Sequence, residues 1–90
     1  MNLTIIVRME KTTFEAWHAI FQGDAEAQAA FMRNTIVGRV DDRTAIVTTE
    51  VTDMAVMGAF MADPRMAELE AEMGLSHEVY NMTPMGPPPA

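Results

Sequence analysis

The sequence predicts an α+β domain whose elements follow the order β-α-β-β-α-β. Apolar and β-branched residues mark a strand at each end of the chain and two short runs near its middle. Each outer strand is separated from that central pair by a segment with apolar residues at helical spacing. Elements in this order form a four-stranded antiparallel sheet with two helices on one face, the ferredoxin-like arrangement. We therefore expect one such domain over residues 1–83, followed by a proline-rich tail over residues 84–90.

The first strand is predicted over Asn2 to Met9, a segment rich in β-branched residues. Apolar side chains occur at both parities, with Ile5 on one face and Ile6 on the other. A strand that is apolar on both faces is typically buried on both. Because the two helices cover only one face of the sheet, a second copy of the chain is the simplest cover for the other.

The first helix is predicted to begin at Thr12-Thr13, which offers an N-cap. Gly23-Asp24 is expected to bend it, after which a weaker apolar stripe continues to Asn34. The core-facing positions recur at i, i+3, i+4 and i+7, and they are Phe14, Trp17, His18 and Phe21.

A β-hairpin is predicted next. Two β-branched runs, Thr35 to Val40 and Thr44 to Val51, are separated by Asp41-Asp42-Arg43, which has the composition of a tight turn. The two runs should pair antiparallel.

The segment from Thr52 to Gly74 is predicted as one helical arm made of two shorter helices. Asp53 caps the first, Asp63 and Pro64 start the second, and Gly74 ends it. The apolar stripe of this arm is Met54, Met57, Met61, Met66, Leu69 and Met73, and the residues expected to face water are Glu68, Glu70 and Glu72.

The last strand is predicted over Ser76 to Met82, with Val79 on one face and Tyr80 and Met82 on the other. The tail that follows has too many prolines for a regular ladder, so we expect it to be extended or disordered.

Composition restricts the classes of partner. The formal net charge is −7 with only six basic residues, so a footprint for nucleic acid or an anionic membrane is missing. The absence of cysteine excludes disulfides and thiolate sites. The apolar start of the chain is too short for a signal peptide, and we take the cytoplasm as the expected location. A chain of this length buries only about 60–65% of its unfolded surface, which favours a homodimer.

Four runs of sequence carry a family resemblance: TFEAWHAIF, IVGRV, TAIVTTEVTD and AFMADPRMAELEAEMGL. From about Leu3 to about Tyr80 the chain resembles the small dimeric α+β barrel proteins, a superfamily that includes antibiotic biosynthesis monooxygenase-like domains. The resemblance implies a homodimer with a central barrel and a ligand cavity between sheet and helices in each subunit. The superfamily contains oxygenases, isomerases, haem-degrading enzymes and members with no known activity. Haem-degrading members use a Trp in the third strand and a His on the second helix, whereas this chain has Trp17 in the first helix and no His between Asp53 and Gly74.

Two histidines are the candidate catalytic groups. His18 lies on the apolar face of the first helix and His77 begins the last strand. Each is either a structural residue or a cavity-lining acid/base group that titrates near neutral pH. Two histidines without a third ligand at suitable spacing do not predict a metal site. No nucleotide fingerprint, phosphate loop or zinc motif is present, so we expect no cofactor.

Arg8 is the candidate for orienting an anionic end of a ligand. It stands in an otherwise apolar strand, so its guanidinium should have a partner, either Glu50 or Glu10 in a structural pair or a ligand carboxylate.

An adaptable apolar pocket is the second half of the site prediction. Ten methionines in 90 residues are many, and methionine fills irregular gaps and suits varied apolar ligands. The residues expected to line the pocket are Trp17, Phe21, Met54, Met57, Phe60, Met61 and Tyr80.

Two functional hypotheses follow. The first is a homodimer that binds a hydrophobic aromatic or fatty-acyl molecule between sheet and helices, with cofactor-independent oxygenation or isomerisation as its chemistry. The second is a non-catalytic structural or interaction protein in which all of these side chains serve packing. A closed cavity with an ordered apolar ligand would favour the first hypothesis. A filled interior with Arg8 paired to Glu50 and both histidines exposed to solvent would favour the second.

Overall fold

The computed structural model describes residues 2–83 and Met85. Its elements are β1 (Asn2–Met9), α1 (Phe14–Gly23), α2 (Ala25–Gln28), β2 (Met32–Asp41), β3 (Thr44–Val51), α3 (Met54–Met61), α4 (Pro64–Met73) and β4 (Leu75–Met82). The strands form one antiparallel sheet in the order β2-β3-β1-β4. This confirms the predicted ferredoxin-like fold. Apart from Met85, the predicted tail lies outside the described residues, and the domain boundary stays a prediction.

One face of the sheet carries the core. Along β1 and β3 the side chains alternate between buried and less buried, and the buried set packs under the helices. That set is Leu3, Ile5, Val7, Met9, Ala45, Val47, Thr49 and Val51. The opposite parity, which includes Ile6 and Ile46, forms a face that no described helix covers. The predicted second apolar face of β1 therefore exists, but it is only half-buried in the single chain.

Both helical segments are broken, as predicted. Asp24 separates α1 from α2, and Ala62-Asp63 separates α3 from α4. The Asp53 side chain accepts from the Val56 amide at 3.1 Å, and Asp63 accepts from the Arg65 amide at 2.8 Å. These caps satisfy backbone N–H groups that have no partner inside the helix, which confirms the predicted restart of the second arm.

The predicted continuation of the first helical segment to Asn34 was wrong. The helix ends at Gln28, and β2 begins already at Met32. This segment forms a strand and not a helix because Phe31 and Met32 are buried in the core and the Phe31 carbonyl accepts from the Thr52 amide at 2.8 Å. Asn34, at a positive φ of 53°, lies within the register shift that follows.

Gly74 ends α4 in the left-handed conformation at φ 64°. Its carbonyl accepts from the Glu10 amide at 3.0 Å, and the Met73 carbonyl accepts from the Lys11 amide at 3.0 Å. These two hydrogen bonds attach the turn between α4 and β4 to the end of β1, and they determine where β4 begins.

No helix within the described residues is long and apolar enough to cross a membrane.

Candidate functional site

A cavity lies between the helix-facing side of the sheet and the two helical arms. It encloses about 80 Å³ and is almost entirely apolar. Five of the residues predicted to line a pocket do so, namely Trp17, Phe21, Met57, Phe60 and Met61. The floor is the core face of the sheet, including Ile5, Val7 and Val47. An apolar cavity therefore lies at the interface of sheet and helices, and its use as a ligand pocket stays a prediction.

Aromatic rings stiffen the walls. Trp17 is 5% exposed, and its ring centroid lies 5.1 Å from that of Phe21 on the same helix. Phe31 and Phe60 make a second pair at 5.1 Å. Tilted pairs of this kind are favourable beyond the area they bury. The wall is thus part rigid aromatic and part flexible thioether, the latter from Met57, Met61, Met66 and Met73.

Polar groups in the lining are few. Asp24 forms an ion pair with Arg65 at 2.9 Å, and this contact joins the first helical arm to α4. The Gln28 amide donates to the Phe21 carbonyl at 3.2 Å, across the break between α1 and α2. Both groups are therefore engaged in holding the helical arms. The remaining polar lining residue is His77.

His77 lies on β4 opposite Val7, on the same side of the sheet as the cavity. Its side chain is 18% exposed, and Nδ1 is 3.7 Å from Oε1 of Glu70 on α4. Burial lowers the pKa of His77 below its usual 6.5, and the Glu70 charge partly opposes this. At neutral pH the ring is therefore a neutral base set in an apolar wall.

Comparison with solved structures identifies the fold. No protein-family model matches the chain, and no curated protein sequence matches it. SnoaB from Streptomyces nogalater, a cofactor-independent oxygenase, aligns with a TM-score of 0.61 at 14% identity, over 97% of this chain and 98% of its own. Rv0793 from Mycobacterium tuberculosis aligns with a TM-score of 0.59 at 11% identity, over 97% of this chain and 100% of its own. An antibiotic biosynthesis monooxygenase aligns with a TM-score of 0.52 at 13% identity, over 93% and 100%.

The chain has the antibiotic biosynthesis monooxygenase-like fold. The resemblance drawn from the sequence is thus confirmed for the ferredoxin-like fold of this superfamily.

Within this fold, His18 is not brought together with His77. Its ring stacks on Phe14 at 5.1 Å and on Trp17 at 6.3 Å, and it borders a separate open groove between the first helical arm and β2. Of the two candidate histidines, only His77 lines the cavity, while His18 lies half-buried at the groove beside β2.

Arg8 and Tyr80 lie on the other face of the sheet. Glu78 forms an ion pair with Arg8 and accepts from the Tyr80 hydroxyl at 2.8 Å. The predicted pairing of Arg8 with Glu50 or Glu10 is corrected: Glu50 is bound by Arg33 at 2.7 Å. The hydrogen bond from Tyr80 first, and Arg8 second, lower the pKa of Glu78. Neither Arg8 nor Tyr80 reaches the cavity.

Met54 stands outside the cavity as well, at the start of α3 and 47% exposed. Sequence reasoning missed Asp24, Gln28 and Glu70. Glu70 was expected to face water, and its proximity to His77 depends on how tightly Gly74 turns the chain. No group of three or more His, Asp or Glu within the described residues is arranged to hold a metal ion.

Proposed function

We propose that this protein is a homodimer that binds a hydrophobic small molecule, aromatic or fatty-acyl, in the cavity between sheet and helices. The observation that carries the proposal is an almost wholly apolar cavity with one histidine, His77, in its wall among residues 2–83. Pockets with apolar walls and a few convergent polar groups are the usual form of small-molecule sites.

The cavity has to widen to take such a ligand. Ligand sites commonly measure roughly 300–1,000 Å³, against about 80 Å³ here. The methionines of the wall can change rotamer at low cost, and the breaks at Asp24 and Asp63 let each helical arm bend. In the Asp24–Arg65 pair that joins the arms, the Arg65 side chain is 62% exposed, so solvent weakens the attraction between the two charges.

The chemistry we propose is cofactor-independent oxygenation or isomerisation of the bound molecule. Both begin with removal of a proton from a weakly acidic C–H or O–H, and His77 is the group in the wall that can accept it. In oxygenation the co-reactant is O₂, and in isomerisation the proton returns to another carbon. SnoaB, which shares the fold, is a cofactor-independent oxygenase, and that supports this reaction class.

A second candidate is a non-catalytic interaction protein. It is favoured by Arg8, Tyr80 and Met54, which were expected in the pocket and lie outside it. Under this alternative the interior admits no ligand, so a binding measurement separates the two.

The binding test uses Trp17, the one tryptophan of the chain, whose ring lines the cavity. Titration with 2-naphthol, a flat apolar probe, should quench Trp17 fluorescence in a saturable manner. Met61→Gln places an amide in the apolar wall at nearly constant volume and should weaken binding by on the order of tenfold.

Met54→Gln is the matched control, since it makes the same change on the same helix at a position outside the cavity. It should bind the probe as the unchanged protein does. Equal affinity in all three proteins, or no saturable quenching, would show that the cavity is not the binding site.

A further inference from the structure

A carboxylate lies behind His77. Glu70 lies on α4 and His77 on β4, and the left-handed turn at Gly74 joins these two elements directly. Oε1 of Glu70 is 3.7 Å from Nδ1 of His77. Glu70 is the charged group that acts on the His77 ring among residues 2–83, and the neighbour of His77 on β1 is the apolar Val7.

At 3.7 Å the two atoms are farther apart than in a hydrogen bond, and they form an ion pair only when His77 is protonated. Glu70 is able to shorten this distance, because its side chain is 37% exposed and flexible while His77 is held in the strand. Hydrogen bonds between catalytic groups are often long in ligand-free proteins and shorten when the ligand binds.

The other ring nitrogen is free to act on a ligand. No described residue makes a hydrogen bond with Nε2 of His77. Every fully buried side-chain nitrogen among the described residues has a hydrogen-bond partner, so Nε2, which has none, is not fully buried. His77 contributes to the cavity wall. When a carboxylate holds the proton on Nδ1, the lone pair resides on Nε2.

We propose that Glu70 and His77 form a carboxylate–histidine dyad in which Glu70 positions the ring and Nε2 accepts a proton from the cavity ligand. The inference rests on the proposed function, because it requires a ligand in the cavity. A C–H or O–H bond of the ligand breaks, an N–H bond forms at Nε2, and the electron pair stays on the ligand as a carbanion or oxyanion. The Glu70 carboxylate balances the imidazolium charge. The substrate class is an apolar molecule with one weakly acidic hydrogen.

The first test needs no ligand. Nitrogen NMR of the ligand-free protein should show neutral His77 with its proton on Nδ1. Glu70→Leu should return the ring to the Nε2–H form that a histidine side chain in water prefers. Glu70→Gln should lower the pKa of His77 further, because the carboxylate that opposes burial is gone.

Glu68→Gln is the matched control, removing one exposed carboxylate from the same helix. It should leave both the tautomer and the titration of His77 as they are. An unchanged tautomer in Glu70→Leu and an unchanged titration in Glu70→Gln would overturn the dyad, whether or not the cavity binds a ligand.

The second test measures proton transfer with 5-nitrobenzisoxazole. A base takes the hydrogen on carbon 3, the N–O bond breaks, and the product is a coloured cyanophenolate, so no oxidant or cofactor is involved. The rate should rise with pH at the His77 titration seen by NMR and be lost in His77→Gln. Glu70→Gln should be slower by on the order of tenfold with its pH profile displaced to lower pH.

The outcomes separate the two proposals. If 2-naphthol quenches Trp17 but Glu70→Gln converts 5-nitrobenzisoxazole as fast as Glu68→Gln does, the dyad is wrong and the binding site stands. If 2-naphthol fails to quench Trp17, the proposed function is contradicted, and so is the proposed proton transfer from a cavity ligand to His77. NMR still decides whether Glu70 orients the ring.

Discussion

At the scale of single residues, His77 shows how position on a strand determines chemistry. It shares a sheet face with Val7, so its ring is carried into the apolar layer under α4 instead of into water. Burial then lowers the pKa of His77, and the negative charge of Glu70, 3.7 Å away, partly opposes that shift. Arg8 is the contrasting case. It follows Val7 on β1, so its side chain lies on the opposite face of the sheet, where it pairs with Glu78.

The lowered pKa of His77 predicts that acidification destabilises the fold just below pH 6.5. The unfolded chain, with the ordinary His pKa of about 6.5, takes up its proton at higher pH than the folded chain does. The free energy of unfolding should therefore fall as pH drops from 6.5 toward the folded-state pKa, and this contribution should be constant above 6.5.

Urea unfolding between about pH 5.5 and about pH 7 measures this slope, and His77→Gln should reduce it. The lowered pKa values of Glu50, Glu78 and Asp41 act in a separate window, below their ordinary values of 4.5 and 3.8. A slope that is identical with and without His77 would contradict the burial of this ring.

At the scale of elements, the ends of helices are where local sequence decides structure. Asp53, Asp63 and Gly74 were each predicted as caps, and each is one. Capping depends on a side chain and backbone groups within three or four residues, so the sequence contains all the information needed.

Gly74 offers a direct test of such a position. Its φ of 64° disfavours any residue with a Cβ, and an added Cβ would lie 3.0 Å from the Cβ of Glu10. Gly74→Ala should reduce the free energy of unfolding by about 1–2 kcal/mol, measured by urea denaturation.

Gly23→Ala is the matched control. No atom lies within 4 Å of a Cβ added at Gly23, at the end of α1. This substitution should be neutral or stabilise by up to about 1 kcal/mol. Equal losses at both glycines would argue against the left-handed turn at Gly74.

What sequence could not supply is the alignment of distant elements. The pairing of Arg8 with Glu78 follows from the β1–β4 register, which places Ile6 opposite Glu78. The early start of β2 at Met32 follows from its pairing with Val51. The Glu70 contact arises from packing of α4 against β4. Periodicity identifies which residues share a face, but not which residue of another element lies beside them.

At the scale of the whole molecule, the uncovered sheet face accounts for the high apolar content. Ile36 is 68% exposed, Tyr80 50% and Met82 39%, and Ile6 and Ile46 lie half-buried among them. The ion pairs Arg8–Glu78 and Arg33–Glu50 stand beside this apolar patch. An apolar centre with polar groups around it is the usual anatomy of a protein interface, which supports the proposed homodimer.

A charge introduced on that face, at Ile36 of the edge strand β2, should dissociate the dimer. Ile36→Lys changes an exposed side chain opposite Thr48, so the subunit should still fold. Sedimentation at micromolar concentration should give about twice the 9.9 kDa chain mass for the unchanged protein and one chain mass for the variant.

Met54→Lys, exposed on the helical layer, is the control and should remain dimeric. A monomer before any substitution would rule out the proposed interface.

The most direct measurement of the central claim is native mass spectrometry of the purified protein, recorded alone and with increasing 2-naphthol. We predict an ion of twice the 9.9 kDa chain mass that gains one probe per chain and releases it on denaturation. Met61→Gln should gain the probe only at higher concentration. A protein ion whose mass never increases, at any probe concentration that leaves the fold intact, would contradict the assignment of the cavity as a binding site.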